Sequence, residues 1–195
     1  MTDSALPANA SLSGLGIPML GAPRVELRPP LPGDLEWLYA AACDPSVGLT
    51  WRLMGSIPSI ERFSSVLWAG VECQFVLWSK ETVQRLGLVQ MIRYDPRSAT
   101  AHLSFFLAAS HQDLGWPLEG VLLFVDYVFR VYPLRKLYLE SLRPAFDQFA
   151  SAVGRHLEVE GILRDHDVFD GRFVDLLITS TTPSRWADSR RRFAL

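Results

Sequence analysis

Side chains able to do chemistry are sparse in this sequence, and two of them share one short segment. In Thr100–Leu107 (TAHLSFFL), His102 and Ser104 fall on one face of an extended strand, while Leu103 and Phe105 take the other. A neutral imidazole, with an ordinary pKa of about 6.5, is a competent base at cellular pH. A lone strand histidine is equally an ordinary packing residue bonded to its neighbours. In Lys136–Leu142 (KLYLESL), Tyr138 and Glu140 share a face and Ser141 adjoins them. There a carboxylate could face a cleft, and a phenol could return a proton to a leaving group. Tyr94 is a second such phenol, although tyrosines in strands commonly pack. His111 could meet a phosphate or lie solvated in a loop. His166, in Arg164-Asp165-His166-Asp167, has no second ligand cluster beside it and fits an exposed turn, so no metal site is expected.

The elements that must position these groups follow from the pattern of apolar residues. Arg24–Arg28 alternates as a half-buried strand, ended by Pro29, Pro30 and Pro32. A helix then runs through Leu35, Leu38, Tyr39 and Ala42 with Asp34 as its N-cap. A second spans 58–70, capped by Ser59, with Ile60, Phe63 and Leu67 as its stripe. Gln74–Ser79 and Leu86–Tyr94 form a hairpin around a polar turn, and Thr100–Leu107 follows as a strand. Residues 115–132 carry Leu118, Leu122, Val125 and Phe129 at helical spacing, a long buried helix stopped by Pro133. Lys136–Leu142 is a strand, 146–156 a helix, and 157–163 with 173–181 a closing strand pair. The fold class is mixed α/β (α+β) in one domain with a mainly antiparallel sheet. Residues 1–22 are expected as a flexible extension, 23–189 as the domain, and 190–195 as a basic tail.

Composition excludes several classes. The chain of 195 residues is 49% hydrophobic and 21% charged with a net charge of −2, which suits neither a disordered polyelectrolyte nor a nucleic-acid binder. Arg185, Arg190, Arg191 and Arg192 make the C-terminus basic, but no stacking motif accompanies them, so a solvated helix and tail is expected. The two cysteines, Cys43 and Cys73, form no disulfide framework and suit a reducing compartment as buried thiols. The longest apolar run, Val121–Val125, is far short of the roughly 20 residues that cross a bilayer, and the opening residues carry no secretory signal. A cytoplasmic protein with no membrane partner is the expectation.

Three segments resemble those of the GNAT-type N-acyltransferases, in particular the branch that acetylates ribosomal-protein N-termini. Arg24-Val25-Glu26-Leu27-Arg28-Pro29 with Asp34-Leu35-Glu36 resembles that branch's opening strand and helix. Ala101–Gly120 (AHLSFFLAASHQDLGWPLEG) resembles the segment that ends the fourth strand and opens the cofactor helix. Glu160-Gly161-Ile162-Leu163-Arg164, then Asp170-Gly171, Asp175, Ser180 and Trp186, have the branch's closing order. Arg24 to Trp186 is the span covered.

The resemblance implies a fold in which the fourth and fifth strands, here Thr100–Leu107 and Lys136–Leu142, splay apart. The pantetheine arm of acetyl-CoA, or of another acyl-CoA, would then lie in the gap. It also implies transfer of the acyl group to a primary amine of a small molecule or a protein N-terminus, without a metal. His102 stands where relatives often carry a general-base Glu, and Ser104, Glu140 and Tyr138 are the further candidates for catalysis. Phe106, Leu107, Gln112, Asp113, Leu114, Gly115, Trp116 and Gln148 fall at cofactor-binding positions. The usual loop reads Arg/Gln-Gly-x-Gly-x-Ala, and Gln112 and Gly115 match it.

Asp113 puts a negative charge where a pyrophosphate would sit, and Pro117 removes a backbone donor; both are also ordinary choices at a helix start. Ala145 stands where relatives place a cofactor-contacting Asn, leaving Gln148 as the polar group there. Trp51, between the first two helices, lies where the family lines its acceptor pocket. These departures keep two alternatives open: an acyl donor borne on an acyl carrier protein, and a catalytically inactive binding or scaffold protein with this fold. Exposed strand edges in such folds often pair, so a homodimer is compatible with the sequence.

Overall fold

The computed structural model describes residues 20–112, 114–147 and 149–193, with side chains described through residue 188. The expected extension at 1–22 therefore lies almost wholly outside the described residues, as do Asp113 and Gln148. The strands are β1 (Leu20–Gly21), β2 (Val25–Arg28), β3 (Val71–Ser79), β4 (Arg85–Asp95), β5 (Thr100–Leu107), β6 (Lys136–Leu142), β7 (Glu158–Phe169) and β8 (Arg172–Thr181). The helices are α1 (Leu35–Cys43), α2 (Pro45–Gly48), α3 (Ile60–Trp68), α4 (Leu118–Val131), α5 (Arg143–Asp147) and α6 (Pro183–Phe193). The strands form one sheet in the order β1-β2-β3-β4-β5-β6-β8-β7. Every neighbouring pair is antiparallel except β5 with β6, which α4 joins as a strand–helix–strand crossover.

Each face of the sheet has its own apolar core, because strand alternation sends successive side chains to opposite sides. On one face Phe124, Val125 and Val128 of α4 pack with Leu27, Leu77, Val89, Leu103 and Trp186. On the other, Leu38, Phe63 and Leu67 of α1 and α3 pack with Trp51, Val76, Leu88 and Phe106. Burying a side chain such as Phe63 contributes roughly 1.5–3 kcal/mol. Two glycines let backbones close up. A Cβ on Gly87 would lie 2.1 Å from the Phe106 carbonyl oxygen, at the β4–β5 pairing. One on Gly120 would lie 2.7 Å from Leu77, so glycine lets α4 lie against the sheet.

Several expected elements differ. Instead of a helix over 146–156 there is the short α5, then a 3-10 turn at Ala150–Ala152. Phe146 and Phe149 stack edge to face at 5.4 Å, and Gly154 adopts φ +78°, which ends any helical continuation. The 164–167 stretch is not a separate turn but an irregular part of β7. There the register with β8 shifts, Asp165 has φ +47°, and both Arg164 and the Asp165 N–H bond Asp175. The long helix opens at Leu118, because residues 115–117 form a turn ahead of it. Asp34 is no side-chain cap of α1; its carboxylate accepts from the Leu31 N–H at 2.8 Å and Arg85 Nε at 2.7 Å. Arg190–Arg192 fall within α6 rather than beyond it.

Candidate functional site

Pairing between β5 and β6 covers Thr100↔Lys136, Ala101↔Leu137 and His102↔Tyr138, and then stops. Both strands continue, β5 to Leu107 and β6 to Leu142, so the sheet opens into a V whose closed end is His102 and Tyr138. The Ala108 N–H donates to the Leu86 carbonyl, which sets the phase of the β4–β5 ladder. By antiparallel alternation, the main-chain groups of His102, Ser104 and Phe106 bond β4, while those of Leu103, Phe105 and Leu107 face the opening. A cleft of about 740 Å³ occupies this opening and runs under the segment after α2.

His102 sits at the vertex with its ring 5.3 Å from that of Tyr138. Its Nδ1 lies 3.3 Å from Glu140 Oε1, within ion-pair range but not aligned for an N–H···O bond, so this buried nitrogen has no hydrogen-bond partner among the described residues. Glu140 is held from its other oxygen by Arg93 Nη1 at 2.9 Å. The His102 side chain is 21% exposed and that of Glu140 30%. Burial pushes His102 below the ordinary imidazole pKa; the Glu140 charge pulls it back up and the Arg93 charge pushes it down again. The imidazole is thus neutral at neutral pH, and a carboxylate beside it can stabilise the imidazolium formed when it takes a proton.

Ser104, on the same face, is not free to act alone: its Oγ accepts from Trp51 Nε1–H at 3.1 Å. Trp51 in turn stacks edge to face on Phe106 at 4.9 Å. This contact fixes the segment after α2 over β5 and forms one wall of the cleft. Tyr138 lies beneath the His102 ring and is not part of the cleft lining. Tyr94 is on the opposite face, stacked on Tyr132 at 5.6 Å, so the structure does not bring it to the site. His111 bonds its neighbour Ser110, and His166 is exposed on β7.

At the open end the groups are largely satisfied internally. Gln112 Nε2–H donates to the Leu107 carbonyl at 3.1 Å and to the Ser46 carbonyl and hydroxyl at 3.4 Å, tying the loop to β5 and α2. Leu118, Glu119 and Gly120 donate their N–H groups back to the Gly115, Trp116 and Pro117 carbonyls. Leu114 and Gly115 are exposed, whereas Trp116 packs against the α4-side core with the Arg24 guanidinium over its ring. Arg24 is paired with Glu119, and residues 108–120 contain no Lys or Arg. The Phe106 side chain faces the α1–α3 core and Leu107 the α4 core. The splay therefore fits an extended arm such as pantetheine, while the open end offers a pyrophosphate few donors.

Sequence reasoning missed Arg52 and Arg93, both of which line the cleft. Arg93 sits at φ +50° just past Ile92, the cross-strand partner of His102. The available signal was its place one residue beyond that partner. Arg52 follows Trp51 directly and has no carboxylate among its hydrogen-bond partners in the described residues: Nη2 donates to the Ala69 carbonyl at 2.6 Å, and Nη1 to Gln90 Oε1 at 3.2 Å and the Leu67 carbonyl at 3.4 Å.

No family model and no curated protein sequence matches the chain. Solved structures do. A spermidine N-acetyltransferase from Vibrio cholerae, in complex with CoA and spermine, superposes with a TM-score of 0.73 at 20% identity, covering 85% of this chain and 99% of that one. A GCN5-related N-acetyltransferase from Brucella melitensis gives 0.71 at 22% identity, covering 91% and 84%. RimL, a ribosomal alpha-N-protein acetyltransferase in complex with coenzyme A, gives 0.70 at 14% identity, covering 85% and 98%. With the splayed parallel pair β5–β6, the α4 crossover and these superpositions over most of its length, the chain has the fold of the GNAT-type N-acetyltransferases.

Proposed function

We propose that this protein is an N-acyltransferase that moves an acyl group from an acyl-CoA, acetyl-CoA in the first instance, to a primary amine. The observation that carries the reading is the end of β5–β6 pairing at His102 and Tyr138, which puts a neutral imidazole with a carboxylate beside it at the vertex of the splay. The donor supplies an activated thioester. The chain's own residues do the rest. Main-chain groups of Leu103 and Phe105 pair with the extended arm and orient it. His102 takes a proton from the amine as its nitrogen bonds the thioester carbon; the carbon–sulfur bond breaks and the thiolate leaves to be protonated. Glu140 stabilises the imidazolium, and Arg93 holds Glu140 in place. Tyr138, stacked against the ring, keeps His102 oriented.

Calorimetry with acetyl-CoA and then CoA, followed by thiol release with a panel of amines, tests the reading. Micromolar binding and amine-dependent thiol release are expected. No binding at millimolar CoA would overturn use of a free CoA donor. A second reading, an acyl group delivered on a carrier protein, is favoured by the internally bonded start of α4 and the absence of a cation from residues 108–120. A carrier's phosphopantetheine brings one phosphodiester and no pyrophosphate, so it asks less of that end. Acyl transfer from a loaded carrier and not from acyl-CoA would decide for it.

A further inference from the structure

Arg52 is a half-buried guanidinium in the cleft whose hydrogen-bond partners are all neutral. Three of its five N–H groups go to the Leu67 and Ala69 carbonyls and to Gln90 Oε1. Its Nε–H and one Nη2 hydrogen find no acceptor among the described residues, which leaves a donor fork. Gln90 is itself fixed, donating to the Leu67 carbonyl at 3.0 Å and to Gln74 Oε1 at 2.7 Å, so the guanidinium rests on a rigid support. Gln90 is the cross-strand partner of Ser104, and Ser104 is the residue next to His102 on the same face of β5. Arg52 and His102 line the same cleft, Arg52 anchored on the cross-strand partner of Ser104.

The charges of the cleft are lopsided. Arg52 and Arg93 are its cations, and Glu140 is its single carboxylate among the described lining residues. Glu140 is already engaged by Arg93 and His102. No free carboxylate is left to receive a second ammonium group of an acceptor. Burial, and then the nearby Arg93 charge, weaken Arg52's hold on its proton relative to an ordinary guanidinium, so an anion brought beside it is favoured. The remaining walls are mostly apolar, with Trp51, Met54, Phe149 and Phe169 among them, and carry uncharged polar groups such as Thr50, Ser104 and Ser141.

We infer that the acceptor is an amine that also carries a carboxylate and an apolar body, an amino acid with an apolar side chain, and that Arg52 receives its carboxylate through the free fork. The inference rests on the N-acyltransferase reading for the chemistry but not for the binding. Polyamines, whose extra charges are positive, are poor acceptors on the same argument.

The test uses the intact protein and matched ligands. Calorimetry compares N-acetyl-leucine and N-acetyl-phenylalanine with their C-terminal amides, which differ only at the carboxylate. The acids bind roughly 10- to 100-fold tighter, the range of a charge-assisted hydrogen bond to a buried fork. Equal affinity within each pair, or binding of neither member, overturns the inference. Thiol release from acetyl-CoA is then compared for leucine, leucinamide and spermidine, with rates expressed per free amine. Preference for leucine supports the inference. Efficient turnover of leucinamide or spermidine overturns it while leaving the N-acyltransferase reading standing. Absence of thiol release with every amine, alongside selective binding of the acids, overturns the reading and leaves the site. Arg52→Gln abolishes the acid-over-amide preference, read as the ratio of the two affinities, and Arg52→Lys retains part of it. Melting temperatures of both variants show whether the Leu67 and Ala69 contacts matter to the fold; an equal loss for acid and amide assigns Arg52 a purely structural role.

Discussion

At the closed end of the β5–β6 splay, His102, Glu140 and Arg93 crowd one face, with Arg52 and the Trp51–Ser104 contact beside them. At the mouth, Gln112 and the first three N–H groups of α4 are turned onto the protein's own carbonyls, and Arg24, over the Trp116 ring, is paired with Glu119. The first region keeps an unpartnered imidazole nitrogen and spare guanidinium N–H groups among the described residues, whereas the second spends its donors on the protein's own carbonyls. A helix start attracts an anion through N–H groups that have no other partner. Here Pro117 lacks an N–H and the N–H groups of Leu118, Glu119 and Gly120 are occupied, so the first turn of α4 keeps its dipole with its own donors spent. On the proposed reading, the contrast places recognition at the closed end of the splay and leaves the far end of the donor with few partners.

The most severe way to break that contrast is to remove the base. His102→Ala is expected to lower the rate of thiol release by roughly 10²–10⁴-fold. Because the His102 side chain is partly exposed and its Nδ1 has no hydrogen-bond partner among the described residues, the variant should fold, and its melting curve checks this. A variant working at the parental rate would remove His102 from the role and leave the vertex without a function. A smaller effect is expected at the other end. Acetyl-pantetheine lacks the pyrophosphate and nucleotide of acetyl-CoA. If the mouth is as poor in donors as its bonding indicates, the two donors should differ by less than about 10-fold in kcat/KM. A cradle of several charge-assisted bonds, each of about 1.5–3 kcal/mol, would separate them far more. A hundredfold or greater preference for acetyl-CoA would show that the loop rearranges to present its N–H groups.

Much of this arrangement is legible in the sequence, and the reasons differ from residue to residue. The alternation of TAHLSFFL puts His102 and Ser104 on one face whatever strand they pair with, since the period of two is a backbone property. The end of β5–β6 pairing entered only through the resemblance, because splay is a relation between strands distant in sequence. Arg52 and Arg93 were missed for the same reason: their significance lies in Gln90, Ala69 and Glu140, none of them a sequence neighbour. The helix expected over 146–156 fails because apolar Phe146 and Phe149 stack on each other locally rather than marking a continuous helical stripe. Ser104 was placed on the correct face, but its hydroxyl is occupied by Trp51, which spacing alone cannot show.

The gentlest test tunes the base without removing it. Burial holds His102 below the ordinary imidazole value, and Glu140 opposes that by favouring the charged ring. Since the neutral form is the working base, kcat/KM should rise with pH through the His102 pKa and level off, with its acidic limb below about 6.5, the ordinary histidine value. Glu140→Gln takes away the charge that raises this pKa, so the limb should move to lower pH. Arg93→Met takes away a charge that lowers it and should move the limb the other way, provided Glu140 stays beside the ring. The sign is what matters, because a plateau rate can fall for many reasons while the two limbs move apart for one. Should both variants shift the limb in the same direction, or neither shift it, the group titrating in the profile is not His102, and the closed end of the splay would need another base.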